Sequence, residues 1–209
     1  MKKFPIWIGI AVLLSIAFIL KNKKNTNKTL KKILFVGDSI TASQLYSYPA
    51  LIKKLRPDLE IDILAKGGMT TKWMLDNLPS KINNNYDRIY IYGGINDAFN
   101  NSIPLSSTIN NVQKMVDIIE QNGSDPYIII GYQTIPFMDY KKIPTTRYVS
   151  NQLDYVPMIK KYGDMQNMFR QISNTSFVNK FDLGTSTSDG IHPSGTGQNI
   201  IANKIIETF

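Results

Sequence analysis

The chain contains no cysteine. Disulfides, zinc–thiolate sites and a cysteine nucleophile are therefore excluded, while the redox compartment stays open. Histidine is nearly absent as well, His192 being the only one. One imidazole and scattered aspartates give no metal-ligand spacing, so no metal is expected. Acidic residues are missing from the first 32 positions, which hold eight lysines. Beyond them 16 basic residues face 16 acidic ones, so the net charge of +8 belongs to the leader. A domain without a basic excess has no electrostatic reason to bind nucleic acid, and none is expected as a partner.

What the leader does have is an uncharged run of 17 residues, Phe4 to Leu20. It lies between a basic tail (residues 1–3) and a lysine-rich linker (residues 21–32). The run is at the short end of what spans a bilayer and slightly long for the apolar part of a signal peptide. Trp7 sits near one end, where interfacial aromatics lie. No small-x-small pair follows Leu20, so an uncleaved, single-pass membrane helix is expected rather than a cleaved signal. Cleavage would instead release the domain as a secreted protein. The lysines after the run argue for a cytoplasmic domain, but a short basic amino-terminal tail more often stays inside, and the outer face is the expectation.

Residues 33–209 are enough for one domain with a substantial core. Ile33 to Val36 is an apolar run that stops at Gly37 and hands Asp38, Ser39 and Thr41 to a turn. Ile61 to Ala65 reads as a second strand, ending in Gly67-Gly68, and Arg88 to Tyr92 as a third, ending in Gly93-Gly94-Ile95-Asn96-Asp97. Tyr127 to Gly131 and Phe177-Val178 read as the fourth and fifth. Helices are expected over Tyr48 to Leu55, Lys72 to Leu78 (capped by Thr70 or Thr71), Ser107 to Gln121, Val156 to Ile172 and Gly197 to Phe209. Apolar strands alternating with helix-length segments imply βαβ units. The expected fold is α/β, a flavodoxin-like three-layer α/β/α sandwich with a parallel sheet of about five strands. Gln133 to Tyr155 has no clear period and carries Phe137, Tyr140, Arg147 and Tyr148. A loop of that length reads as a lid or substrate wall.

A serine delivered to the carboxyl edge of such a sheet is a poor nucleophile alone. His192 lies three residues after Asp189, in a turn just before the last helix. Asp189 can hold one nitrogen of the imidazole, leaving the other to take the Ser39 proton. Oxyanion donors are available from the Ser39 amide, from a glycine after the second strand (Gly68, with Gly67 the alternative), and from the Asn96 side chain. Asp38 and Asp97 read as acceptors that stabilise their loops.

Gly37-Asp38-Ser39-Ile40-Thr41, Gly68, Gly94-Ile95-Asn96-Asp97 and Asp189-Gly190-Ile191-His192 resemble, in order, the four blocks of the SGNH/GDSL hydrolases. The resemblance covers the domain from about residue 32 to the end. It departs from the pattern at Ile40, which stands for leucine, and at Ala65-Lys66, where an asparagine is often found. It implies a flavodoxin-like fold and hydrolysis of esters, thioesters or acylated sugars without a metal. It also implies Ser39 as nucleophile, His192 as base, Asp189 as orienting acid, and Ser39, Gly68 and Asn96 as the oxyanion hole. The expected partners are then a small-molecule or glycan ester and, through the leader, the membrane. A phosphate- or flavin-binding turn at Gly37 to Thr41 would leave Asp189 and His192 unexplained, so no cofactor is expected. The alternative class is a membrane-anchored, non-catalytic module that binds glycan or protein on the same fold.

Overall fold

Ile33 to Val36 present apolar side chains in both directions, and a strand of that kind has to be covered on both faces. The computed structural model describes residues 29–42, 46–131, 152–178, 181, 183, 186 and 192–209. In chain order the elements are β1 (Lys32–Gly37), α1 (Ser39–Ala42), α2 (Tyr48–Leu55), β2 (Glu60–Ala65) and α3 (Thr71–Asn77). They continue with β3 (Arg88–Tyr92), α4 (Ile95–Ala98), α5 (Leu105–Gln121) and β4 (Asp125–Ile129). The last three are α6 (Gln152–Phe169), β5 (Ser176–Val178) and α7 (Gly195–Ile206).

All strand pairs are parallel, in the order β2-β1-β3-β4-β5. Alternation along β1 divides the core. Leu34 and Val36 pack with Met74 of α3, Val112 and Met115 of α5, and Met165 of α6. Ile33 and Phe35 pack on the other face with Tyr48 and Ile52 of α2 and Ile201 and Ile205 of α7. The result is the expected three layers. On the second face Phe35 meets Tyr48 edge-on at 5.2 Å and Tyr90 at 5.3 Å, and Tyr90 meets Tyr127 at 5.0 Å. These rings tie three neighbouring strands together on one side of the sheet.

Apart from α2 and β3, the elements read from sequence shift by one to four residues at an end, and two of the shifts involve a proline. β4 starts at Asp125 instead of Tyr127 because Pro126 is tolerated there. Asp125 N–H donates to Asp87 O beside β3, so the Pro126 nitrogen faces β5, where pairing begins only at Tyr127. The missing donor is never called for. α6 starts at Gln152, ahead of Pro157, and absorbs the end of the stretch read as a loop. The rest of that stretch, residues 132–151, lies outside the described residues, as does the expected membrane helix at residues 4–20. Among the described residues no helix is long and apolar enough to cross a membrane.

Because every strand points the same way, the carboxyl ends of β1, β2 and β3 share one edge. The chain leaves β1 for β2 on one side and later enters β3 on the other. That reversal opens a crevice at the end of β1, and Ser39 stands there.

Candidate active site

The turn that carries Ser39 is built by its neighbours. At Gly37 any Cβ would lie 2.0 Å from Thr41 Oγ1 and 2.8 Å from Tyr92 O, so only glycine fits. Asp38 is buried; its Oδ1 accepts from Ile40 N–H at 3.0 Å, and its carbonyl accepts from Ala42 N–H at 2.9 Å. This is an Asx-type turn that starts the short α1 with Ser39 as its first residue. Amides of a first helical turn have no partner within the helix, so the Ser39 N–H is free of that demand.

The histidine arrives from the far end of the sequence. Ser39 Oγ lies 2.9 Å from His192 Nε2 across 153 positions. Helix α7 sets that approach. Gln198 is buried, accepts from Tyr48 N–H at 2.8 Å and donates to Ile40 O at 3.3 Å, bracing α1 and α2 against α7. Ser194 caps α7 by accepting from Gly197 N–H, and its own N–H donates to Ser186 O. Gly197 allows that close passage, since a Cβ there would come within 2.3 Å of Ser186 O.

The second and third loops are knitted to each other. Asn96 Nδ2 donates to Met69 O at 2.9 Å, which uses one of its two hydrogens. Buried Asp97 accepts from Thr71 N–H at 2.9 Å, Thr71 Oγ1 at 2.5 Å and Thr108 Oγ1 at 3.2 Å. The first turn of α3 is therefore satisfied by Asp97, whereas the side chain of Thr70, its N-cap, makes no capping bond. Gly94 holds φ +100 and Gly68 φ +75, left-handed values that glycine adopts without strain.

Ser39, Gly67, Gly68, Ile95, Asn96, Phe99 and His192 line one cleft of about 150 Å³. Four of the five residues singled out from sequence thus meet: Ser39, Gly68, Asn96 and His192. The fifth, Asp189, lies outside the described residues. Both candidate glycines line the cleft; Gly67 presents its Cα toward Ser39, where an added Cβ would sit 3.8 Å from the Ser39 Cβ. Phe99 and Gln198 were not anticipated. Phe99 stands beyond the Gly94-to-Asp97 block, and Gln198 is a polar residue within the buried face of the last helix.

Burial pushes the Asp38 carboxyl up to about 7, the opposing pull of the Ile40 N–H and of His192 notwithstanding. Its Oδ2 has no hydrogen-bond partner among the described residues. Asp38 and Asp97 both act as loop acceptors, as read from the sequence. Among the described residues no three His, Cys, Asp or Glu side chains gather as a metal site requires.

Comparisons with known proteins bear on the family and the fold. The model of the GDSL-like lipase/acylhydrolase family matches residues 35–200, well over half of the chain. Among the curated proteins none matches by sequence. Among solved structures, a psychrotrophic esterase from Pseudoalteromonas sp., inhibited by monoethylphosphonate, superposes with a TM-score of 0.63 at 16% identity. The match covers 85% of this chain and 95% of that one. An acetylxylan esterase from Geobacillus stearothermophilus gives 0.61 at 18%, over 85% and 93% of the two chains. A GDSL-like lipase from Bacteroides thetaiotaomicron gives 0.64 at 18%, over 92% and 95%. At these identities the likeness is one of fold.

Proposed function

The chain belongs to the family of GDSL-like lipases and acylhydrolases, and from that premise we propose that it cleaves carboxylic esters through an acyl-enzyme on Ser39. The observation that carries the reading is the 2.9 Å separation of Ser39 Oγ and His192 Nε2 inside the cleft. In the proposed reaction Nε2 takes the serine proton as Oγ attacks the acyl carbon. The negative charge on the former carbonyl oxygen is held by the Ser39 N–H, the Gly68 N–H and the second Nδ2 hydrogen of Asn96. His192 returns the proton to the departing alcohol, then deprotonates the water that releases the acid. Asp189 takes the orienting role, holding Nδ1–H so that Nε2 remains the acceptor.

Ligands of drug size occupy clefts of about 300–1,000 Å³. The cleft that holds Ser39, about 150 Å³ among the described residues and lined in part by Ile95 and Phe99, suits a short acyl group. Acetyl esters, including those on carbohydrate, are therefore the first substrates to test, in keeping with the acetylxylan esterases that share the fold. The leader completes the reading: a single-pass anchor at residues 4–20 that holds the domain on the outer face of the membrane.

Turnover of p-nitrophenyl acetate should exceed that of the octanoate and vanish in Ser39→Ala while the far-UV circular dichroism is kept. A Ser39→Ala protein as active as wild type would dismiss Ser39 as nucleophile. A wild type inert toward acetyl, octanoyl and acetylated-sugar esters would favour a binding module.

A further inference from the structure

Helix α6 carries two adjacent lysines with different surroundings. Lys160 reaches along the surface to Asp164, an i,i+4 pair at 2.6 Å. Lys161 turns the other way and donates to three main-chain carbonyls: Asp97 O at 3.1 Å, Asn100 O at 2.8 Å and Ile103 O at 2.8 Å. An ammonium has three N–H donors and no acceptor. Here all three are matched by the backbone of the loop that follows Asn96.

That loop needs an outside tie. α4 has only four residues, Ile95–Ala98, and its own ladder consists of Ala98 N–H to Gly94 O and Phe99 N–H to Ile95 O. A helix this short is unstable by itself, and beyond it the backbone is held only by single turn bonds, Asn100 N–H to Asp97 O at 3.3 Å and Ile103 N–H to Asn100 O at 3.1 Å. The Asp97 side chain fixes the loop toward α3 and α5 through Thr71 and Thr108. Lys161 fixes it toward α6, gripping the backbone immediately after Asn96 and again beyond Phe99. Both residues line the cleft.

We propose that Lys161 is a positioning residue for the oxyanion hole, its three carbonyl bonds holding the 97–103 backbone so that the Asn96 amide points at the reacting carbonyl. The inference rests on Asn96 serving as an oxyanion donor, as proposed above. Misplacing a catalytic group by about 1 Å can lower the rate about a hundredfold, so loss of this clip is expected in kcat more than in KM.

The test is a double-mutant cycle on the full chain with p-nitrophenyl acetate, combining Lys161→Met with Asn96→Ala. Lys161→Met alone should lower kcat by about tenfold to a hundredfold with KM changed by less than about threefold. In the Asn96→Ala background the same substitution should change kcat by less than about twofold, because the group it positions is gone. Lys161→Met with wild-type kcat, or with an undiminished effect in the Asn96→Ala background, would overturn the proposal. Asn96→Ala with wild-type kcat would instead remove Asn96 from the oxyanion hole, and this inference with it. Should Lys161→Met fail to fold, Lys161→Arg enters the same cycle; it keeps the charge but spreads its donors in a plane unsuited to three converging carbonyls.

Discussion

Asp38, next to Ser39, has a carboxyl in surroundings that disfavour its charge. Its carboxyl is buried, one oxygen bonds Ile40 N–H, and the other has no hydrogen-bond partner among the described residues. Its ordinary pKa of 3.8 is pushed up to about 7, with burial as the main cause. Between those values the folded state keeps a proton that the unfolded state has released. Stability therefore falls as pH rises through this window, and the loss is complete above about 7. A shift of this size corresponds to a loss on the order of 4 kcal/mol. Asp38→Asn keeps the acceptor for Ile40 and removes the titration. Its Tm relative to wild type should rise from pH 4 to pH 8; a difference that stays flat across that range would show that Asp38 does not titrate there.

At the scale of elements, the fourth block depends on how α7 docks. Gln198 joins α7 to the Tyr48 N–H and the Ile40 carbonyl, both in buried surroundings. Replacing it with leucine orphans a buried amide at a cost of about 1–3 kcal/mol. Gln198→Leu should lower Tm and also lower kcat, since the loop bearing His192 leads directly into α7. A variant with lowered Tm and unchanged kcat would show that α7 docking does not set the histidine. Such ties were not legible in the sequence. α2 and β3 were read with the bounds they have, because apolar period, Pro49 and the glycine after the strand are local signals. Gln198 with Tyr48 and Lys161 with Asn100 pair across 150 and 61 positions, and nothing local marks either residue. β4 and α6 were read as starting at Tyr127 and Val156; β4 takes in Pro126, where no donor is needed, and α6 starts at Gln152 and runs through Pro157.

Across the whole molecule, the order of the motifs was legible because a parallel sheet turns chain order into a shared edge. Ser39, Gly68, Asn96 and His192 each follow a strand end or precede the last helix, and the topology gathers them. The same topology places Lys32, where the leader joins the domain, at the opposite edge; six residues of β1 span about 20 Å. On the proposed outer-face arrangement, protease added to intact cells should digest the domain; protection until lysis would place it inside. The proposed hydrolysis turns on whether His192 activates Ser39. The most direct measurement is the site of attachment of a fluorophosphonate probe, read by mass spectrometry on wild type, Ser39→Ala and His192→Ala. One adduct on Ser39 in wild type, none in Ser39→Ala and greatly slowed labelling in His192→Ala is the predicted result. An unlabelled wild type, or labelling that proceeds equally well without Ser39 or without His192, would contradict it.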